Sequence, residues 1–291
     1  MSLLLALLLQ VGPDPMSGGM RGDDLVQGRP PRQSARSPQT EQEITDPTSA
    51  WLQSCLDAIG TDAARAHTMA QIRRTQTTGT ERVLANHCLG TAASELGLWE
   101  DARSAFMAAH DETPEGETRA RARFTMMAGN AALAGGDSEG ALALLTQAGA
   151  EAQSAAAASL QAIAAIDRAR ALVALDRQDE ALVALDEATG LAPESSEGWL
   201  LKATLLRRMD RLDAAQITIE AAARLAPGAP EIGLEAGVIA VLAGRDEAAR
   251  ASWQSVIDLA AESDAAKQAK DYLVQLGPAP AAPATAQDPP A

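Results

Sequence analysis

The chain has 291 residues and a formal net charge of −15; 46% of its residues are hydrophobic and only 2% are aromatic. An acidic balance of this size argues against binding to nucleic acid and to anionic membranes. Alanine, the strongest helix former, supplies much of the hydrophobic content, whereas the β-branched and aromatic residues that favour strands are sparse. The composition therefore predicts an all-α protein with closely packed helices.

The N-terminal segment differs in composition from the rest of the chain. Residues 3–9 read LLLALLL, too short to span a bilayer but as long as the apolar region of a secretory signal. Residues 1–12 are therefore interpreted as a candidate export signal, although no basic residue precedes the apolar run. We expect a periplasmic protein; the alternative is a cytoplasmic protein with an apolar N-terminus. Residues 13–47, rich in Gly, Pro, Ser, Gln and Arg, are typical of a disordered linker.

A short pattern recurs five times in the middle of the chain. Each copy has a turn with acidic residues, then an alanine, and a large apolar residue four positions later. The alanines are Ala102, Ala141, Ala181, Ala215 and Ala249, and the large residues are Phe106, Leu145, Leu185, Ile219 and Trp253. The intervals between successive alanines are 39, 40, 34 and 34 residues. Such periods indicate stacked helix–turn–helix units, and the two longer intervals predict longer helices or joints.

This pattern resembles the tetratricopeptide repeat over residues 83–261. In the fourth copy the matching positions are Trp199, Ala203, Leu206, Ala215, Ile219, Ala222 and Pro227. The resemblance implies a right-handed α-solenoid, in which a small residue at each helix crossing accommodates a bulky one. The repeats would occupy residues 83–116, 122–155, 162–195, 196–229 and 230–262.

Flanking segments are expected to cap this array and complete a domain over residues 48–277. Residues 48–76 predict an atypical helix pair, separated at Gly60. Residues 263–276 predict a capping helix that begins after Ser263. Residues 278–291 form a disordered Pro/Ala tail that cannot build a core.

The two cysteines, Cys55 and Cys88, lie 33 residues apart, which is about one repeat. Both fall on helices expected to be the first of successive units. Facing residues of packed helices approach to about 5–6 Å at their Cα atoms, which suits a disulfide. We expect a disulfide in an exported protein; the alternative is a pair of small buried thiols in a reducing cytosol.

The sequence lacks the common motifs for catalysis, metal binding and phosphate binding. It contains no His-Glu-x-x-His, Cys-x-x-Cys, Gly-x-Gly-x-x-Gly or Gly-x-Ser-x-Gly pattern. His87 beside Cys88 suggests an activated thiol only weakly, because helical neighbours point in different directions. We therefore expect a non-catalytic protein without cofactor or metal.

The resemblance also implies a binding groove, because first-helix side chains line the concave face in that family. The matching candidates are Met126, Asn130, Ile166, Arg170, Leu200, Arg207, Arg208 and Val238. The arginines would attract an acidic segment or a free carboxylate beside an apolar floor. The alternative is that the apolar residues pack between helices and the arginines only solvate the face.

The sequence thus predicts a scaffold that binds a protein or peptide, without nucleic acid and without a stable membrane span. Two other functions stay open. One is a structural subunit of a larger envelope assembly, and the other is an enzyme of unrecognised type.

Overall fold

A computed structural model describes residues 47–278, with side chains from residue 50 onward. The predicted export signal and nearly all of the predicted linker and Pro/Ala tail lie outside this range. Within it, all regular secondary structure is helical, and no helix is long and apolar enough to cross a membrane. The all-α prediction is confirmed.

Contacts divide the described chain into two units, residues 47–193 and residues 194–278. The first unit contains α1 (Pro47–Gln76), α2 (Thr80–Glu95), α3 (Trp99–Glu112), α4 (Thr118–Ala134), α5 (Ser138–Ser154), α6 (Ala158–Ala174) and α7 (Gln178–Leu191). The second contains α8 (Ser196–Arg208), α9 (Leu212–Leu225), α10 (Pro230–Leu242), α11 (Asp246–Leu259) and α12 (Asp264–Leu276). Each of the five copies of the sequence pattern forms one pair of packed helices, from α2–α3 to α10–α11.

The extra residues of the two longer intervals lengthen the helices. Helices α4, α5 and α6 have 17 residues each, whereas α8 has 13. The two intervals, from Ala102 to Ala141 and from Ala141 to Ala181, are rich in alanine and other good helix formers. The added residues therefore extend the helices rather than forming loops.

The two helices of each pair are joined by a tight turn that needs a left-handed residue. In the first pair this residue is Gly97, with φ of 70°, and the next N–H, of Leu98, donates to the carbonyl of Ala93 at 2.8 Å. This hydrogen bond reaches back across the end of α2 and satisfies one of its open carbonyls. Asp176 and Asp210 adopt the same left-handed conformation in two later pairs.

Small residues allow the helices of a pair to cross closely. The five alanines of the repeat pattern are all fully buried. A Cβ added at Gly90 would meet the Phe106 ring, and one added at Gly237 would collide with the indole of Trp253. The large residue of each second helix therefore fills the space that the small residue leaves open.

Helix α1 is a pair of helical segments with a break, but the break is not at Gly60. It lies at Asp62, whose φ of −157° and ψ of 83° are not helical. The side chain of Asp62 accepts a hydrogen bond from the N–H of Arg65 at 2.9 Å and so caps the second segment. Capping by Asp62, rather than the flexibility of Gly60, sets the position of the break.

The last helix, α12, begins after Ser263, whose hydroxyl accepts from the N–H of Ala266 at 3.0 Å. At its other end the guanidinium of Arg250, on α11, donates to the carbonyl of Gly277 at 2.6 Å. Both ends of α12 are therefore tied down by side chains.

Candidate recognition face

The side chains that α2, α4 and α6 present at the groove positions form one candidate surface in residues 47–193. We call it the first-helix face and define it by His87, Thr91, Arg123, Met126, Asn130, Ile163 and Arg170. All seven side chains are partly or fully exposed. Two contacts connect the three helices along this face.

The first contact joins α2 to α4. The ring of His87 meets the ring of Phe124 edge to face, with centroids 5.5 Å apart and an interplanar angle of 75°. Partial burial lowers the pKa of His87 below its ordinary value, so the ring is neutral near pH 7. His87 is therefore an uncharged aromatic residue on this face, whereas Phe124 itself is buried.

The second contact joins α4 to α6 through the carboxylate of Asp167, which is only 2% exposed. Asn130 Nδ2 donates to Asp167 Oδ2 at 2.9 Å, and Arg170 Nη1 donates to Asp167 Oδ1 at 2.5 Å. Asn130 and Arg170, both predicted to hold a ligand, thus bind a carboxylate of the protein itself. Asp167 offsets the positive charge that Arg170 would otherwise offer to a partner.

Arg207, in residues 194–278, does not fit its predicted role as a ligand-binding cation. Its side chain and that of Glu235 are both fully buried, with Arg207 Nε donating to Glu235 Oε1 at 2.6 Å. The neighbouring first helix, α10, supplies the carboxylate that neutralises the guanidinium, so Arg207 serves the interior and not a ligand. Arg208, one residue further, is exposed.

The aromatic residues of α11 and α12 lie close to this pair. Burial raises the pKa of Tyr272, an effect that Arg207 opposes and Glu235 reinforces through their charges. The Tyr272 ring lies 5.2 Å from the Trp253 ring, and Trp253 donates its indole N–H to the carbonyl of Leu234 at 3.1 Å. The charges of the ion pair thus act on a ring that packs in the aromatic part of the core.

Half of the predicted apolar floor also belongs to the protein core. Ile166 and Val238 are buried, and Val238 packs in the cluster that contains Trp253. Met126 and Leu200 are partly exposed, so their place in a groove stays a prediction. Ile166 and Val238 fill space between helices, so they cannot form the floor of a groove.

Sequence reasoning missed three polar networks. Two of them contain the carboxylates that neutralise groove positions, Asp167 and Glu235, and the third lies at the end of α3. There, buried His110 contacts Asp111 Oδ1 at 2.8 Å and Glu151 Oε1 at 3.0 Å. Thr125 donates to the other oxygen of Glu151 at 2.9 Å. Complementary polar residues on consecutive first helices, such as Arg207 and Glu235, are the signal that could have found two of these three.

The predicted disulfide is present. Cys55 and Cys88 are bonded, with their Cα atoms 6.3 Å apart, and both are fully buried. Cys88 therefore has no thiol for His87 to activate. Elsewhere in residues 50–278, no group of three or more His, Cys, Asp or Glu side chains is placed to hold a metal ion.

Comparison with known proteins gives similarity at the level of structure. No family model and no curated protein sequence matches the chain. PilF of Pseudomonas aeruginosa matches with a TM-score of 0.57 at 13% identity, over 78% of this chain and 97% of that one. TTC0263, a thermophilic TPR protein of Thermus thermophilus, matches with a TM-score of 0.52 at 19% identity, over 66% and 99%.

A third solved structure, MamA from residue 41 to its end from Desulfovibrio magneticus RS-1, matches with a TM-score of 0.51 at 14% identity. It covers 65% of this chain and 99% of that one. At these identities the likeness is one of fold. The chain is thus an all-α helical-repeat protein, and its fold is that of the tetratricopeptide repeat, as the sequence resemblance implied.

Proposed function

We propose that the protein is a non-catalytic scaffold that binds a protein or peptide segment on the first-helix face of residues 47–193. The observation that carries this proposal is the pair of contacts, His87 with Phe124 and Asn130 with Asp167, which joins three first helices into one surface. A surface fixed in this way is preorganised, which lowers the entropic cost of binding.

The partner would carry an apolar side chain and an acidic group. Met126 is partly exposed, and the unbranched methionine side chain can adapt to apolar groups of variable shape. Arg123 is exposed and makes no hydrogen bond or ion pair with any residue in the range 50–278. Arg207 is buried and Arg170 is bonded to Asp167. Arg123 is therefore the residue on this face that would attract a carboxylate of the partner.

The charge on this face can be tested with two matched variants. We expect Arg123→Glu to lose partners that the wild-type protein retains in affinity purification with cross-linking from the native cell. Arg65→Glu, on α1, makes the same charge change at another exposed arginine and should retain them. Equal retention by both variants, with unchanged helical circular dichroism, would place recognition elsewhere.

We also propose that the protein acts in the bacterial cell envelope. The apolar run at residues 3–9 and the buried disulfide support export, because disulfides persist in oxidising compartments. Fractionation of a C-terminally tagged full-length chain should recover it in the periplasm with a shortened N-terminus. Recovery in the cytosol with the N-terminus intact would contradict export.

A further inference from the structure

The residues that helix α1 buries completely against the rest of residues 47–193 are few and small. Its buried side chains between residues 50 and 76 are Cys55, Ala66 and Ala70. Helix α2, with 16 residues, has eight buried residues, seven of which carry a side chain. Methyl groups remove little apolar surface from water, so the two alanines contribute only a small hydrophobic stabilisation.

The remaining contacts of α1 are also weak. The buried residues of α1 form one cluster with Cys88, Leu89 and Ala92 of α2 and Ala105 of α3. Trp51, Leu52 and Ile59 pack against this cluster but are only partly buried. The ion pair of Arg73 with Glu81 is 3.3 Å long and joins two side chains that are 28% and 47% exposed, so solvent screens most of its attraction. The guanidinium of Arg73, in the second segment of α1, lies over the ring of Trp51, in the first, with 4.7 Å between Cζ and the ring centroid, and such a partly exposed cation–π contact is weak.

The disulfide lies within this cluster of small buried side chains. It joins Cys55, in the first segment of α1, to Cys88, in the middle of α2, and closes a sequence separation of 33 residues. The rest of α2 does not depend on α1 for its packing, because Val83 and Ala93 belong to a separate cluster with Phe106 of α3. The covalent bond and the main apolar contacts of α1 therefore coincide at one place.

We propose that the Cys55–Cys88 disulfide is a redox-sensitive latch that holds α1 on α2. When it is oxidised, α1 covers Leu89 and Ala92 of α2. A dithiol reductant breaks the S–S bond and supplies two electrons and two protons, so that two thiols form and the reductant becomes a disulfide. Reduction then releases α1 and uncovers these apolar side chains, while α2 to α7 stay folded.

Hydrogen–deuterium exchange of the full chain, with and without dithiothreitol, tests the latch. The loss of a cross-link that closes a loop of this length should speed exchange of the α1 amides by on the order of a hundredfold or more. Amides of α4 to α7 should change by no more than about threefold, because their packing does not involve the bond. The number of free thiols, measured by alkylation, should rise from zero to two.

A second variant makes the result independent of whether the reductant reaches the buried bond. Cys55→Ala/Cys88→Ala, in the full chain, should show the fast α1 exchange without reductant and no further change when reductant is added. Protection of α1 that persists in this variant would overturn the proposal, as would simultaneous loss of protection throughout α1 to α7. A wild-type protein whose bond resists dithiothreitol under native conditions would show that the bond is not redox-sensitive.

Discussion

The two units are built on the same helix pair but place their charged groups at different depths. In residues 47–193, Asp167 is buried while its partners Asn130 and Arg170 stay partly exposed. In residues 194–278, Arg207 and Glu235 are both fully buried. A position that matches a ligand-binding site of the repeat can therefore hold a residue that stabilises the protein interior. The depth of burial decides whether such a residue can bind a ligand or pairs with another residue of the protein.

The largest difference between the units should appear when one carboxylate is removed from each. Glu235→Ala leaves the Arg207 charge buried without a partner and should lower the free energy of unfolding by about 3–5 kcal/mol. Asp167→Ala should cost less, about 1–3 kcal/mol, since Asn130 and Arg170 can still reach water. Urea unfolding followed by circular dichroism measures both.

Two controls sharpen this test. Glu231→Ala, at an exposed position on the same helix as Glu235, should change the unfolding free energy by no more than about 0.5 kcal/mol. Arg207→Met/Glu235→Leu removes both charges and should recover most of the loss. If Asp167→Ala costs as much as Glu235→Ala, the contrast between the units is wrong.

Glycine-to-alanine substitutions compare a crossing with an open position. Gly237→Ala would drive a methyl group into Trp253 and should destabilise the protein by about 1–3 kcal/mol. Gly149→Ala, in the interior of α5, has no atom within 4 Å of the added Cβ and should stabilise it by about 0.5–1 kcal/mol. Melting temperatures that shift in the same direction would contradict the assignment of Gly237 to a tight crossing.

The smallest effect concerns pH. All three histidines of the chain lie in residues 47–193. The pKa of His87 is lowered by burial, so below pH about 6.5 the unfolded chain binds more protons at this site than the folded one. The free energy of unfolding should therefore fall as the pH drops through this window.

His87→Phe keeps an aromatic ring against Phe124 and removes the titrating group. We expect this variant to lose stability less steeply than the wild type between pH 7 and pH 5, when unfolding is followed at several pH values. Identical slopes for the two proteins would remove His87 as a source of the pH dependence.

The sequence predicted the features that depend on one residue type at a fixed interval. Spacing predicted the crossing alanines, the bulky residues that follow them and the pairing of Cys55 with Cys88. The residue type at the start of a helix predicted the capping role of Ser263. These features are local or repeat with the helix period, so a single chain displays them.

The depth at which a side chain lies could not be read in the same way. Arg207 and Arg208 are neighbours in the sequence, yet Glu235 meets only the first of them. Asn130 likewise finds its partner 37 residues away. Such pairs depend on how consecutive first helices dock, and the repeat register alone does not specify which polar groups meet.

Recognition on the first-helix face is tested most directly by site-specific photo-cross-linking in the native cell. One photoreactive residue would replace Arg123, on the face, and in a second protein it would replace Ala143, exposed on the second helix α5 of the same pair. We expect partner adducts from position 123 and none from position 143. Adducts from position 143 alone would contradict this expectation.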